Sequence, residues 1–254
     1  MFSTLLESLG HAAYYTVRVL WILPLSTTRL SPLMVQLHRV LLGALPLGAA
    51  AGTTIGVVVW LHLRGTLQTV GGPSAVQFLP QALALAVVLE FAPLAAGLIV
   101  AGRSGASLGA ELGSMRLTEQ IDALEALGLS PLRELVAPRV VACTLTLPLL
   151  TLFIAYLALG AGYLAEMLGG SLSWTQYRTE CLRVLTLRDA VPAVLKTMAF
   201  GLLIGLSGCW FGLNAQGGTE GVGQAATRSV VVSIFFVLVA DVILVKAIQI
   251  LGGA

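Results

Sequence analysis

Apolar residues run along this chain in stretches too long to be one face of a soluble helix. Residues 40–63 contain no Asp, Glu, Lys or Arg, and neither do residues 140–165. Residues 78–102 are interrupted only by Glu90, 190–211 only by Lys196, and 229–251 only by Asp241 and Lys246. A spanning helix needs about 20 mostly apolar residues, and hydrocarbon tolerates no open backbone. The pattern therefore predicts five transmembrane helices at these positions. The first 39 residues differ: the apolar cluster at 14–25 is broken by Arg18 and Pro24 and flanked by Arg29 and Arg39. This predicts an amphipathic helix in the membrane interface, with a sixth span as the alternative. The expected fold is an all-α polytopic membrane protein, with an interfacial region at 1–39 and a membrane domain at 40–254.

Polar residues concentrate between the second and third stretches. The segment 103–139 carries nine of the 26 charged side chains. Within it Leu117, Ile121, Leu124 and Leu127 recur at helical spacing, with Glu119, Asp122 and Glu125 on other faces. This predicts a helix over about 115–128 at the membrane surface. Gly128 is placed to end it, and Ser130 with Pro131 opposes continuation. A second short helix is expected at 132–136.

Composition sharpens the membrane reading. Apolar residues make up 57% of the chain and charged residues 10%, against about 45–50% and about 25% in soluble domains. Mean hydropathy is +0.93. The net charge of +2 and the lack of a basic tract give no reason to expect nucleic acid. Cys143, Cys181 and Cys209 are odd in number and widely spaced, which argues against a disulfide framework or a metal site. Glu7 and His11 stand where a signal peptide would be basic. Arginines set the expected orientation. Arg18, Arg29, Arg39, Arg103, Arg116, Arg133, Arg139 and Arg228 would share one side, and Arg64, Arg178, Arg183 and Arg188 the other. The richer side is cytoplasmic, so the N-terminus and 103–139 are expected inside, and 166–189 and the C-terminus outside.

Charges within apolar stretches cost about 2.5–3.5 kcal/mol each and usually face a cavity or a partner. At 1.5 Å rise per residue, Lys196 and Asp241 fall at similar depth, which predicts a structural ion pair. Lys246 lies nearer the interface and can snorkel. Glu90 has no partner of matching depth on this count and is a candidate either for a lipid-facing cavity, with Trp60, Leu63 and Leu67 as its apolar wall, or for a satisfied structural carboxylate. Glycines repeat at close-packing spacing: Gly48, Gly52, Gly56; Gly105, Gly109, Gly113; Gly201, Gly205; and Gly208, Gly212. Gly205, Leu206, Ser207 and Gly208 match the G-x-S-G of rhomboid proteases, but His11, His38 and His62 all precede them, and no base follows.

Two resemblances add function. Asp122, Ala123 and Leu124, then Gly128, then Val136, Ala137 and Pro138, resemble the EAA loop of ABC importer permeases, although the importer pattern places its closing proline further on. That resemblance implies a coupling helix presenting Thr118, Glu119, Gln120, Asp122, Ala123, Leu124, Glu125, Leu127 and Gly128 to an ATPase. More broadly, LEFAPL at 89–94, AGRSGAS at 101–107, ELGSMRLTEQ at 111–120, NAQGGTEGVG at 214–223 and ATRSVV at 226–231 resemble the MlaE/YrbE permease family. The resemblance spans about 40–250. It implies the permease subunit of a lipid (phospholipid) ABC transporter in a bacterial inner membrane, with an ABC ATPase dimer, a hexameric MCE-domain protein and a second copy of itself as partners. An ABC permease needs two copies, so at least one glycine face should serve a homodimer. The sequence holds no G-x-x-x-x-G-K-[ST] phosphate loop. No cofactor is expected on this chain; ATP and Mg would sit on the partner. The alternative is an ion-gradient-driven secondary transporter or channel using Glu90, Lys196 and Asp241.

Overall fold

The computed structural model describes residues 2–26, 30–170 and 172–252. Among these the chain is helical, with no strand. The helices are α1 (Phe2–Ser26), α2 (Leu30–Gly71), α3 (Leu79–Ala86), α4 (Ala92–Val100), α5 (Ala106–Leu117), α6 (Gln120–Ala126), α7 (Ala137–Gly169), α8 (Trp174–Val184), α9 (Leu187–Leu213) and α10 (Gly218–Gly252). Five helical runs among the described residues are long and apolar enough to cross a membrane: Ser31–Gly71, Ser74–Leu117, Leu132–Gly169, Leu187–Leu213 and Gly218–Ile250. Each coincides with one of the five apolar stretches. The chain is thus a multi-pass membrane protein.

The helices outrun the apolar stretches, because polar residues end a hydrophobic run without ending a helix. α2 begins at Leu30, so 30–39 belong to the first long helix instead of a separate N-terminal region. Arg29 and the neighbouring 27–28 lie outside the described residues. Three π-helical turns interrupt the helices, at Val87–Phe91, Ala101–Gly105 and Leu132–Val136. The short helix expected at 132–136 is the last of these. Two have a visible cause. Pro93 and Pro138 follow their turns by two residues. Each lacks an N–H and would press on the carbonyl four residues earlier. The wider turn relieves this, with Ala92 N–H reaching Val87 O and Ala137 N–H reaching Leu132 O.

Packing divides the chain into two compact units. The first comprises Met1–Gly43, Leu98–Thr146 and Met198–Ala240. In it, α1 buries Tyr15 and Val19 and exposes Tyr14, Val17 and Trp21. The Tyr15 ring tilts against Trp210 at 5.0 Å, and its hydroxyl donates to Leu206 O. Gly109 meets Ala225, Ala226 and Ser229, Gly205 meets Val140, and Gly208 and Gly212 meet Leu108 and Leu112. Ser207 donates to Leu203 O at 2.7 Å and lies 2.7 Å from Ser233 Oγ. The protease-like motif is a helix contact.

The second unit comprises Ala44–Gly97, Leu147–Thr197 and Asp241–Ala254. Gly48, Gly52 and Gly56 of α2 rest on Leu150, Ile154 and Ala158 of α7. A β-carbon at Gly56 would overlap the Ala158 carbonyl. These glycine faces are therefore occupied within the chain, and the expectation that one of them serves a second copy is corrected. The segment expected as an outer loop contains α8, capped by Ser173, whose hydroxyl accepts from Gln176 N–H. α8 buries Tyr177 and Cys181 against Ala84. Tyr177 donates to Leu159 O at 3.0 Å, and Cys181 Sγ to Pro80 O at 3.4 Å.

Candidate functional site

Two candidate sites arise, one in each unit. In the first unit the helix expected over 115–128 is broken. α5 ends at Leu117, and Glu119 adopts φ 56°, a left-handed conformation unusual for a residue with a β-carbon. α6 then runs Gln120–Ala126. Gly128, at φ 74°, closes it. Leu129 N–H bonds to Leu124 O, and Gly128 N–H to Glu125 O, the double closure of a Schellman motif. The ion pair between Arg116 and Asp122 bridges the break. The apolar stripe is split as a result. Ile121 is buried, whereas Leu117, Leu127 and Leu129 are exposed, Leu127 at 75%. A short element fixed at both ends, with large apolar side chains outward, suits docking by a partner.

In the second unit Lys196 is the centre. Its side chain is 2% exposed. Nζ donates to Glu90 Oε2 at 2.9 Å. It lies equally close to Asp241 Oδ1, at 2.9 Å, where Oδ1 makes no directed hydrogen bond. The contact with Glu90 corrects the expectation that Glu90 lacks a partner. Counting 1.5 Å per residue assumes a regular α-helix, and the run leading to Glu90 includes the 3-10 turn Pro73–Phe78 and the π turn Val87–Phe91. Glu90 stays 41% exposed beside a cavity of about 350 Å³ lined by Asp241, Val242, Val245, Lys246 and Gln249.

Residues 33–247 match the family Permease MlaE. The chain belongs to the MlaE permease family. Several of its relatives are named as probable ABC transporter permeases. A probable ABC transporter permease protein of Rickettsia typhi is 36% identical over 173 residues, 68% of this chain and 67% of that protein. One from Synechocystis is 33% identical over 188 residues, covering 74% and 68%. The chloroplastic protein Trigalactosyldiacylglycerol 1 of Arabidopsis thaliana is 36% identical over 162 residues, 64% of this chain and 46% of that protein. This MlaE-type chain is accordingly a transporter permease subunit.

The MlaE match covers both α6 and the Lys196 cluster. It also covers Trp60, Leu63 and Leu67, which the structure does not bring to the Glu90 cavity. Trp60 is buried, and its Nε1 donates to Glu166 Oε2 at 2.7 Å. Arg64 donates to the same oxygen at 2.7 Å, with its guanidinium 5.4 Å from the Trp60 ring centroid. Glu166 is fully buried. Trp60 is thus part of a buried polar network, and the expected wall of Trp60, Leu63, Leu67 and Glu90 is corrected. Sequence reading used Arg64 only for orientation and passed over Glu166; the two lie 102 residues apart at the edges of apolar stretches. Two opposite charges each ending such a stretch were the available signal.

Proposed function

We propose that this chain is the membrane subunit of an ATP-driven lipid transporter in the bacterial inner membrane. Two copies form the core, and each presents α6 with Thr118, Glu119 and Leu127 to one subunit of an ABC ATPase dimer. Closure of the ATPases on nucleotide shifts α6, and through it the helices that continue from Leu117 and Leu132. Lipid passes between the membrane and an MCE-domain partner on the periplasmic side. The exposed geometry of α6 carries this reading: left-handed Glu119 and Gly128 bound it, Leu127 is exposed between them, and Leu117 and Leu129 are exposed on either side. The lipid class draws on family membership and on the chloroplastic relative, whose name is that of a diacylglycerol lipid.

The face for the second copy is sought on α2 or α10. Their most apolar windows are only 22% and 17% buried, against 50% in the other three runs. On α10, Val231, Phe235, Leu238 and Val242 stay exposed. Glu90 and the cavity beside Asp241 are proposed to meet the cargo, with Lys196 holding both carboxylates.

Purification from native membranes, followed by mass spectrometry of co-purifying proteins and lipids, tests this function. An ATPase with a phosphate-loop sequence at one copy per permease is expected, together with bound diacyl lipid. Transport by this chain alone, abolished by an ionophore, would instead support an ion-driven carrier using Glu90, Lys196 and Asp241.

A further inference from the structure

Three arginines of the first unit each stand one residue outside an apolar stretch. Arg39 precedes 40–63, Arg103 follows 78–102, and Arg139 precedes 140–165. In a bilayer, the border between hydrocarbon and water is where headgroup phosphates lie.

Two of these guanidinium groups, those of Arg39 and Arg139, share a single carboxylate. Glu111 Oε1 accepts from Arg39 Nη1 at 3.0 Å and from Ser107 Oγ at 2.9 Å. Glu111 Oε2 lies 3.5 Å from Arg139 Nη2. Arg103 has no carboxylate partner among the described residues, and its Nη1 reaches only the Arg39 carbonyl, at 3.5 Å. Three positive charges against one negative leave an excess of two.

Arg39, Arg103 and Glu111 border open space and leave it one net positive charge, with Arg139 buried behind Glu111. A cavity of about 340 Å³ is lined by Gln36, Arg39, Arg103, Ser104, Ser107 and Glu111, with Val40 and Leu108 as its apolar side. That volume falls within the range of about 300–1,000 Å³ of small-molecule sites. Gly43 makes room for the arrangement. A β-carbon there would overlap the Arg103 guanidinium, so α2 is notched where Arg103 lies against it. Arg103 itself sits on the π turn Ala101–Gly105, a distortion that recurs at functional sites.

We propose that this pocket binds the phosphate of a phospholipid headgroup at the membrane surface. Arg39 and Arg103 donate to the phosphate oxygens, in charge-assisted bonds whose fork geometry suits a phosphodiester. Gln36 supplies a neutral donor. Glu111 holds Arg39 in place. Val40 and Leu108 face the glycerol end, where the apolar stretches begin. The site requires neither ATP nor a partner, and it stands apart from the nature of the transported cargo.

Native mass spectrometry of the full chain in detergent tests the proposal. The probes are phosphatidylglycerol, diacylglycerol with the same acyl chains, and inorganic phosphate as competitor. The chain is expected to retain phosphatidylglycerol about tenfold better than diacylglycerol. R103Q should bring the two to parity, and G43A should act in the same direction without removing a charge. R103K should keep part of the preference, and R183Q, on α8, all of it. If R103Q fails to fold, G43A and R39Q decide. Equal retention of the two lipids by the unaltered chain, or an undiminished preference in folded R103Q or G43A, overturns the proposal. Displacement of phosphatidylglycerol by millimolar inorganic phosphate identifies a small-anion site and overturns the headgroup assignment.

Discussion

The Lys196 ammonium donates to Glu90 Oε2 at 2.9 Å across 106 residues of chain, and the same nitrogen stands 2.9 Å from Asp241 Oδ1. One lysine thus ties α9 to the π turn before α4 and to α10. Removing it leaves two carboxylates facing each other in an apolar setting. Breaking a buried pair by deleting one partner costs about 3–5 kcal/mol. Lys196→Met should therefore lower the thermal midpoint of the detergent-solubilised chain strongly. Glu90→Gln, on the more exposed arm, should lower it little while impairing lipid transport. A midpoint unmoved by Lys196→Met would show that the cluster does not hold these helices.

α6 should respond in the opposite way. Leu127 is exposed, so Leu127→Glu should stay within about 0.5 kcal/mol of the original stability. The same change puts a charge on the proposed docking face. Loss of ATPase co-purification with an unchanged melting curve is expected. Retained ATPase at full stoichiometry would remove α6 from the interface.

Gly128 tests whether the closure of α6 matters as well as its face. At φ 74° a β-carbon is strained, and Gly128→Ala should cost about 1 kcal/mol. Coupled ATP hydrolysis should fall further than that loss of stability accounts for. Gly65 has open space around it in α2, so Gly65→Ala should leave coupling unchanged and stability equal or slightly raised.

The thiol of Cys181 lies on α8, outside the spanning runs. Burial pushes it up to about 11 from an ordinary value of 9. The thiolate is the reacting form, so a water-soluble maleimide at pH 8 should leave folded Cys181 unmodified and label it after denaturation. Between pH 9 and 11 the folded chain keeps a proton that the unfolded chain releases. This group's contribution to stability therefore falls as pH rises through that window. Rapid labelling of the folded chain at pH 8 would contradict the packing of α8.

The five helices were legible because each carries a long apolar run with few charges. Lys196 and Asp241 were legible as a pair because both lie on regular helices, where depth follows residue count. Glu90 escaped the same count because 3-10 and π turns precede it, although Pro93 marked the distortion. The left-handed break at Glu119 had no signal, since nothing distinguishes that glutamate from its helical neighbours. Trp60 read as a lipid-facing aromatic, because its hydrogen bond to Glu166 is made 106 residues away. The glycine spacings correctly announced close helix packing, but a period of four does not say which helix will approach.

The central claim is that this permease moves lipid at the expense of ATP hydrolysed by a partner. The most direct measurement reconstitutes the chain with its co-purifying ATPase and the MCE-domain protein in vesicles containing a fluorescent phospholipid. Transfer of that lipid between vesicle and MCE-domain protein is followed with and without ATP. The account predicts ATP-dependent transfer that Leu127→Glu abolishes and Glu90→Gln diminishes. Transfer at the same rate without ATP, or ATP-dependent transfer untouched by Leu127→Glu, would contradict it.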